Sequence, residues 1–384
     1  MTVRSLLTDD LLARIHARAA GYDRDNAFFT EDLAELTEAG YLAALVPEEF
    51  GGAGLSLREV VREQQRLAAA APATALGVNM HLVWTGVAKA MHERGLDFLD
   101  TVLTEAGAGE VFGFAISEAG NDLVLFGSRT EAAPQADGGY AFTGTKIFTS
   151  LSPAWTRLSV FGLDTVSEDA PKLVHAFIER EAPGYRILSD WDTLGMRATQ
   201  SNTTVLEGVV APAERIFRRL PPGPTADPLV FGIFANFELL LAAVYTGLGA
   251  RALELGVAAA KRRTSMKNDG KPYSSDPDIR WKVAEAAIAQ DSLAPQIESL
   301  ARDVDDRVDH GAQWFPKLVG AKVRATETAR FVVDQAIRVS GGSSYTAGAE
   351  LSRLYRDVLA GMFHPSDDES AHSTVANAWL GPIA

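Results

Sequence analysis

The sequence predicts an α+β fold in three blocks: an N-terminal helical domain (1–110), a central antiparallel β-domain (111–217) and a C-terminal four-helix bundle (218–384). Two observations carry that reading. Apolar residues recur at three-to-four spacing in the outer blocks and alternate in the middle one, so the period changes near residue 111 from that of a helix to that of a strand. Pro- and Gly-rich stretches punctuate the middle block and close it at "RRLPPGPTADP" (218–228), read as a linker. Strands gathered between two helical blocks are the pattern of an α+β protein and not of a doubly wound sheet.

The elements follow in order. "DDLLARIHARAAGYDRDN" (9–26) and "TEDLAELTEAGYLAAL" (30–45) are amphipathic helices with Gly-type stops. "VPEEFGGAGLS" (46–56) is a turn, and its last Ser caps the helix "SLREVVREQQRLAAAA". "ATALGVNMHLVWTGVAKAMHERG" (73–95) is apolar nearly all round and predicts a buried helix. In the middle block "EVFGFAISE", "SRTEAAPQADGGYAFTGTKIFTS", "TRLSVFGLD", "KLVHAFIER", "YRILSD" and "NTTVLEGVVAP" read as strands separated by turns such as "ADGG" and "APG". The last block predicts helices over 229–265, 278–310, 314–340 and 348–360.

Composition narrows the function. With 384 residues, 47% hydrophobic and 22% charged, the chain has ordinary globular composition and length for two to three domains. A net charge of −14 without a basic stripe argues against nucleic acid or an anionic membrane surface as partner. The absence of cysteine removes disulfides, thiolate metal sites and thiol nucleophiles. The charged N-terminus does not read as a signal peptide, so the expected location is cytoplasmic. Residues 229–250 form a 22-residue run with one charge, Glu238, long enough to span a membrane. The run continues unbroken into "RALELGVAAAKRR", which predicts a helix buried in a bundle, with Gly247, Gly249 and Gly256 admitting close neighbours.

Several strings occur together in a recognisable order: "GYLAALVPEEFGGAGLS", "FAISEAGNDL", "GTKIFTS", "LGMRATQSNTTVLEGVVAPAERI", "AIRVSGGSSY" and "LSRLYRDV". In that order they resemble the acyl-CoA dehydrogenase superfamily over nearly the whole chain. The resemblance implies a bound flavin, usually FAD, between the β-domain and the C-terminal bundle. It also implies a homotetramer or homodimer, an acyl thioester substrate, and an electron-transfer flavoprotein or flavin reductase as partner. A flavin ring is planar and amphipathic, so its site needs an apolar face, donors at the ring edge and close backbone for the phosphates. On the matched motifs Phe148 would supply the face, Ser150 and Ser117 the donors, Gly341 and Gly342 the close backbone, and Arg263 a pyrophosphate contact from a neighbouring subunit. Thr149 and Ser265 complete the cofactor candidates. Taken singly each has an ordinary reading in a core, a turn or a helix end; their joint order gives them weight.

One part of the pattern is missing. The family usually places a catalytic Glu nine residues after the Arg of its Arg-Asp pair; here the pair is Arg356–Asp357, and nine residues on stands Pro365. Some members carry the base on the long helix after the linker, where the equivalent slot falls on Phe237, next to Glu238. A lone carboxylate in an apolar helix is costly unless paired or functional, and Glu238 is the leading candidate base, with an ion pair to another helix as its ordinary alternative. Asp367 or Asp368 could also reach the site, although both suit the cap of the last helix.

A second resemblance is to flavin monooxygenases of the same fold, of the dibenzothiophene monooxygenase type. These take reduced flavin from a reductase, react it with oxygen, and lack the Glu. The matching residues are His81, Ser150 and His364. The Phe-Gly that usually follows the Arg of the long helix is replaced by Met266 and Lys267, which leaves FMN open as the cofactor. A third possibility is a flavin-binding chain that lost catalysis with its Glu. No metal site is expected: "HPSDDESAH" has the residue types, but the family has no metal there.

Overall fold

The computed structural model describes residues 5–383. Helices α1 (Asp9–Asp25), α2 (Thr30–Glu38), α3 (Leu57–Ala70), α4 (Pro72–His92) and α5 (Asp100–Gly107) form the first block. The strands are β1 (Phe112–Phe114), β2 (Glu131–Pro134), β3 (Tyr140–Lys146), β4 (Arg157–Asp164), β5 (Lys172–Glu179), β6 (Tyr185–Ile187), β7 (Thr204–Ala211) and β8 (Ile216–Leu220). Then come α6 (Pro228–Arg262), a two-stranded hairpin of β9 (Thr264–Ser265) and β10 (Lys271–Pro272), α7 (Pro277–Asp291), α8 (Leu293–Asp305), α9 (Trp314–Ser340), α10 (Glu350–Val358) and α11 (Asp368–Leu380).

Local chemistry sets the helix starts. Ser56 and Glu59 form a reciprocal capping box on α3. Asp227 caps α6 and Asp276 caps α7, each followed by Pro at the first helical position, where a missing N–H costs nothing. The expected single helix over 278–310 is two helices that meet at Ser292. Pro295 explains the break, because it lacks an N–H and its ring crowds the carbonyl of Asp291 one turn earlier.

The sheet runs β6-β7-β3-β2-β4-β5-β8, with β1 also on β4. It departs from the expected wholly antiparallel pattern: β1 pairs with β4 in parallel, as does the first residue of β2, Glu131. Strand β8 takes the first three residues of the expected linker, because Arg218, Arg219 and Leu220 pair with β5.

Helix α6 passes the length and hydropathy test for a membrane span, yet 83% of its most apolar window is buried inside the protein. It packs against α3, α4 and α9. Its glycines are where neighbours come close: a Cβ at Gly247 would lie 2.2 Å from the Gln65 carbonyl of α3, and one at Gly256 would lie 3.2 Å from the Ala336 Cα of α9. Aromatic contacts tie the helices to the sheet. Trp84 of α4 meets Phe177 and Phe217 edge-on at 5.0 and 5.5 Å, and Phe114 stacks on Phe237 of α6 at 5.7 Å.

The α3–α6 contact makes a prediction. Gly247→Ala places a methyl against backbone that has no rotamer to yield, so the helices must separate. The expected loss is about 1–3 kcal/mol of stability, read as a lower urea midpoint with an unchanged slope.

Candidate active site

A cavity of about 500 Å³ opens between the sheet and the C-terminal helices, with α4 behind it. Its walls include Ser117, Phe148 and Ser150 from the strand motifs, Trp191 and Gly195 from the segment before β7, Phe237 and Glu238 from α6, and His364 and Pro365 from the loop after α10. Three of the matched motifs, far apart in sequence, thus meet at one place.

The sheet-side wall is pinned by a buried ion pair. Lys146, at the end of β3, donates to Glu118 at 2.5 Å and to the Phe161 carbonyl at 2.8 Å, and both side chains of the pair are almost fully buried. Glu118 also accepts from the Arg129 amide, the Thr130 and Ser128 hydroxyls and Asn121. Burial opposes ionisation of Glu118, but the Lys146 charge and these donors outweigh it and hold the carboxyl at about 2. The pair binds "FAISEAGNDL" to "GTKIFTS", helped by the Ile147 amide donating to the Ser117 carbonyl at 2.9 Å. Beyond Lys146 the chain turns sharply. Phe148 and Leu151 both take left-handed backbone, with φ of 57° and 63°, a strained choice for residues with large side chains. Phe148 is left 56% exposed at the cavity, edge-on to Trp191 at 6.1 Å. Ser150 joins a hydroxyl chain through Ser201 to Thr199, each link 2.7 Å. Thr149 is buried between Phe148 and Ser150, and its Oγ1 has no partner; neither has Trp191 Nε1.

The segment "LGMRATQ" fixes α10 beneath this wall. The Met196 amide donates to Asp357 at 2.6 Å. Arg356 pairs with Asp23 of α1 through both guanidinium nitrogens and donates to the Leu194 carbonyl at 2.9 Å. The Arg356–Asp357 pair is therefore the joint between α1, the sheet block and α10.

The helical wall is built around Glu238, which is 1% exposed. Its Oε1 accepts from the Ser366 amide at 3.2 Å and the Ser366 hydroxyl at 2.9 Å, while Oε2 has no partner. Burial pushes the Glu238 carboxyl up to about 7, against the pull of Lys322 and of the two Ser366 donors. The ion pair expected as its ordinary alternative is not at contact distance: the ammonium of Lys322 goes to the carbonyls of Gly361, His364 and Ser366, at 3.0, 2.9 and 2.7 Å. His364 shares a hydrogen bond of 2.8 Å with the buried Tyr245 hydroxyl. Burial, with the Lys322 charge adding to it, lowers His364 to about 3, so its ring is neutral. A buried carboxyl that changes charge near neutrality can take a proton from a bound molecule and return it.

Other candidates lie elsewhere. His81 is outside the cavity and spent on structure: the Phe112 amide donates to Nδ1 at 3.0 Å, so Nε2 carries the proton and donates to the Leu42 carbonyl at 2.8 Å. Asp367 lines the cavity but caps α11, accepting from the Ser370 amide at 3.0 Å, and Asp368 is the first residue of that helix. Arg263 donates to the Val339 and Ser340 carbonyls at 3.0 and 2.6 Å, so it caps α9 rather than its own helix. Gly341 and Gly342 follow those carbonyls, and Ser265 lies in the β9–β10 hairpin; none of the four lines the cavity. No cluster of three or more metal-ligating side chains occurs among the described residues.

Comparison with known proteins agrees with this architecture. Residues 2–94 match the acyl-CoA dehydrogenase N-terminal domain and 231–378 the C-terminal domain. An L-evernosamine nitrososynthase of a Micromonospora species is 30% identical over 374 residues, covering 92% of this chain and 85% of that one. The chain belongs to the acyl-CoA dehydrogenase family. Benzylmalonyl-CoA dehydrogenase of Aromatoleum aromaticum is 27% identical over 356 residues, with 90% and 88% covered. The solved structure of KijD3 in complex with FMN and dTDP-3-amino-2,3,6-trideoxy-4-keto-3-methyl-D-glucose superposes with a TM-score of 0.87 at 27% identity, covering 99% of this chain and 94% of that one. Relatives in this family thus include both dehydrogenases and nitrososynthases.

The state of Glu238 predicts a pH effect on stability. Its affinity for a proton is higher in the folded chain, about 7, than the ordinary 4.5. The folded state then holds a proton that the unfolded state has lost, so stability falls as pH rises through that window and levels off above it. Glu238→Gln removes the fall. At pH 8 the variant is expected to exceed the parent by about 1–3 kcal/mol, and at pH 4.5 the two should coincide in urea denaturation.

Proposed function

We propose that the chain is a flavin-dependent oxidoreductase in which Glu238 takes a proton from a small organic substrate held in the cavity. The observation that carries this is the unpartnered Oε2 of a buried carboxylate in the cavity wall, beside Pro365. That is the slot from which the family's usual base is missing, and Ser366, the next residue, binds the other oxygen of Glu238.

The residues fit a flavin. Phe148 and Trp191 offer aromatic walls, and Trp191 Nε1 is a buried donor with nothing to bind. Such orphans are costly unless a ligand satisfies them. Ser117 and Ser150 would serve the ring edge. When bound, flavin would supply the hydride acceptor. The reading that follows is α,β-dehydrogenation of an acyl thioester. Glu238 takes the proton next to the carbonyl, and Phe114 and Phe237 give it apolar walls.

A second reaction has its own support. The nitrososynthase relatives, the FMN in the solved KijD3 complex, and an Arg263 committed to helix carbonyls instead of a pyrophosphate favour oxygenation by reduced FMN from a partner reductase. There Glu238 would take a proton from a substrate ammonium, and His364 would stand by as a neutral donor. A homo-oligomer suits either reaction.

The released flavin identifies the cofactor as FAD or FMN. On an acyl-CoA that bleaches bound flavin, Glu238→Gln is expected to lower kcat by about 10²–10⁴ while flavin stays bound. An undiminished rate removes Glu238 as the base. Oxygenated product from reduced FMN, with no bleaching by any acyl-CoA, moves the assignment to the second reaction.

A further inference from the structure

We propose that Lys322 of α9 is a positioning residue for the cavity carboxylate: bound to the carbonyls of Gly361, His364 and Ser366, it holds the 361–366 loop so that Ser366 fixes one oxygen of Glu238 and leaves the other facing the cavity. This rests on the reading of Glu238 as the proton acceptor, and it adds a residue that does not touch substrate.

The side chain of Lys322 is 1% exposed, and its three bonds use all three N–H groups of an ammonium. A neutral amine has only two donors and would turn its lone pair on a carbonyl, so the geometry requires the charged form. Ser366 is the shared link. Its carbonyl accepts from Lys322 while its amide and hydroxyl donate to Glu238, so the residue that binds the carboxylate is itself anchored to the ammonium. The loop is fixed at three points by a group from a rigid 27-residue helix. Tyr245, which binds His364, adds a fourth from α6.

Other charges face this pair. Asp367 and Asp368 at the start of α11 and Glu327 on α9 act on Lys322 alongside Glu238, while burial draws its proton affinity down. Glu118, Asp122 and Arg356 line the rest of the cavity; Glu118 is tied to Lys146 and Arg356 to Asp23. His364 and Tyr245 are neutral. Lys322 is therefore the cation that acts on Glu238, and its loss leaves burial opposed only by the two Ser366 donors.

The test reads Glu238 without turnover. The infrared C=O band of its protonated carboxyl, identified by its absence in Glu238→Gln, is followed against pH in the full-length protein. Lys322→Met, close in volume and uncharged, is expected to raise the midpoint by at least one unit, a tenfold tighter proton. In active enzyme the acid limb of the rate profile should move by the same amount. Ser366→Ala keeps the backbone contacts and should move the midpoint the same way by a smaller step. An unchanged or lowered midpoint in Lys322→Met overturns the proposal; if that variant does not fold, an unchanged midpoint in Ser366→Ala does so. Full turnover by Glu238→Gln would remove the base assignment and leave the infrared result standing.

Discussion

A carboxylate in the middle of a 35-residue apolar helix must be solvated by protein, and the way Glu238 is solvated shapes the cavity. Water is excluded by the packing of α6 against α3, α4 and α9. No cation reaches contact distance, so the group is stabilised by a loop whose polar atoms are turned toward it. That loop has to be held against its own tendency to move, and the ammonium of Lys322 holds it. A cation on one helix thus anchors the serine that binds a carboxylate on another.

The opposite wall follows the same logic with different parts. The Lys146–Glu118 pair is buried and hydrogen-bonded on nearly every side, the condition under which desolvating two charges can be offset. It fixes the start of one strand motif to the end of another, and the chain beyond can then sustain the left-handed Phe148. Each wall therefore has one buried lysine behind it, and the aromatic and hydroxyl groups of the cavity sit on segments that those lysines immobilise. Preorganised groups of this kind need no rearrangement when a ligand arrives.

Much of this was legible in sequence, and the rest was not for identifiable reasons. Glu238 stood out because it was the one charge in an apolar run, and its burial follows from that run. His364 was found through its spacing from Arg356, and it does line the cavity. His81 entered through the resemblance to the monooxygenases and is not there, because a matched position on a helix does not say which face the sheet covers. Arg263 looked like a cofactor ligand or a cap of its own helix; that it caps α9 depends on where two helix ends meet. Lys322 was missed although it left a signal. It sits in the apolar phase of α9, with Leu318, Ala325 and Ala329 around it, all buried. A lysine in that phase must find acceptors. Trp191 could not have been singled out, since an orphaned donor exists only in three dimensions; Thr149 came in with its strand motif, and only the structure shows its hydroxyl without a partner.

The exchange that removed the usual base also fits the new arrangement physically. Proline at 365 has no N–H, and the amide after it, that of Ser366, goes to Glu238. A glutamate at 365 would place a second carboxylate on the same wall of a cavity that already holds Glu238. Two such groups in a poorly solvated space cannot both ionise, and one would be forced to keep its proton. With Pro365 in place Glu238 is the carboxyl on that wall that changes charge near neutral pH, Asp367 being held low as the cap of α11, and there is one serine to orient Glu238 and one buried cation behind the serine. The choice between abstracting a carbon-bound proton and accepting one from an ammonium then falls to the substrate: what the protein sets is a single proton acceptor whose charge changes near neutral pH.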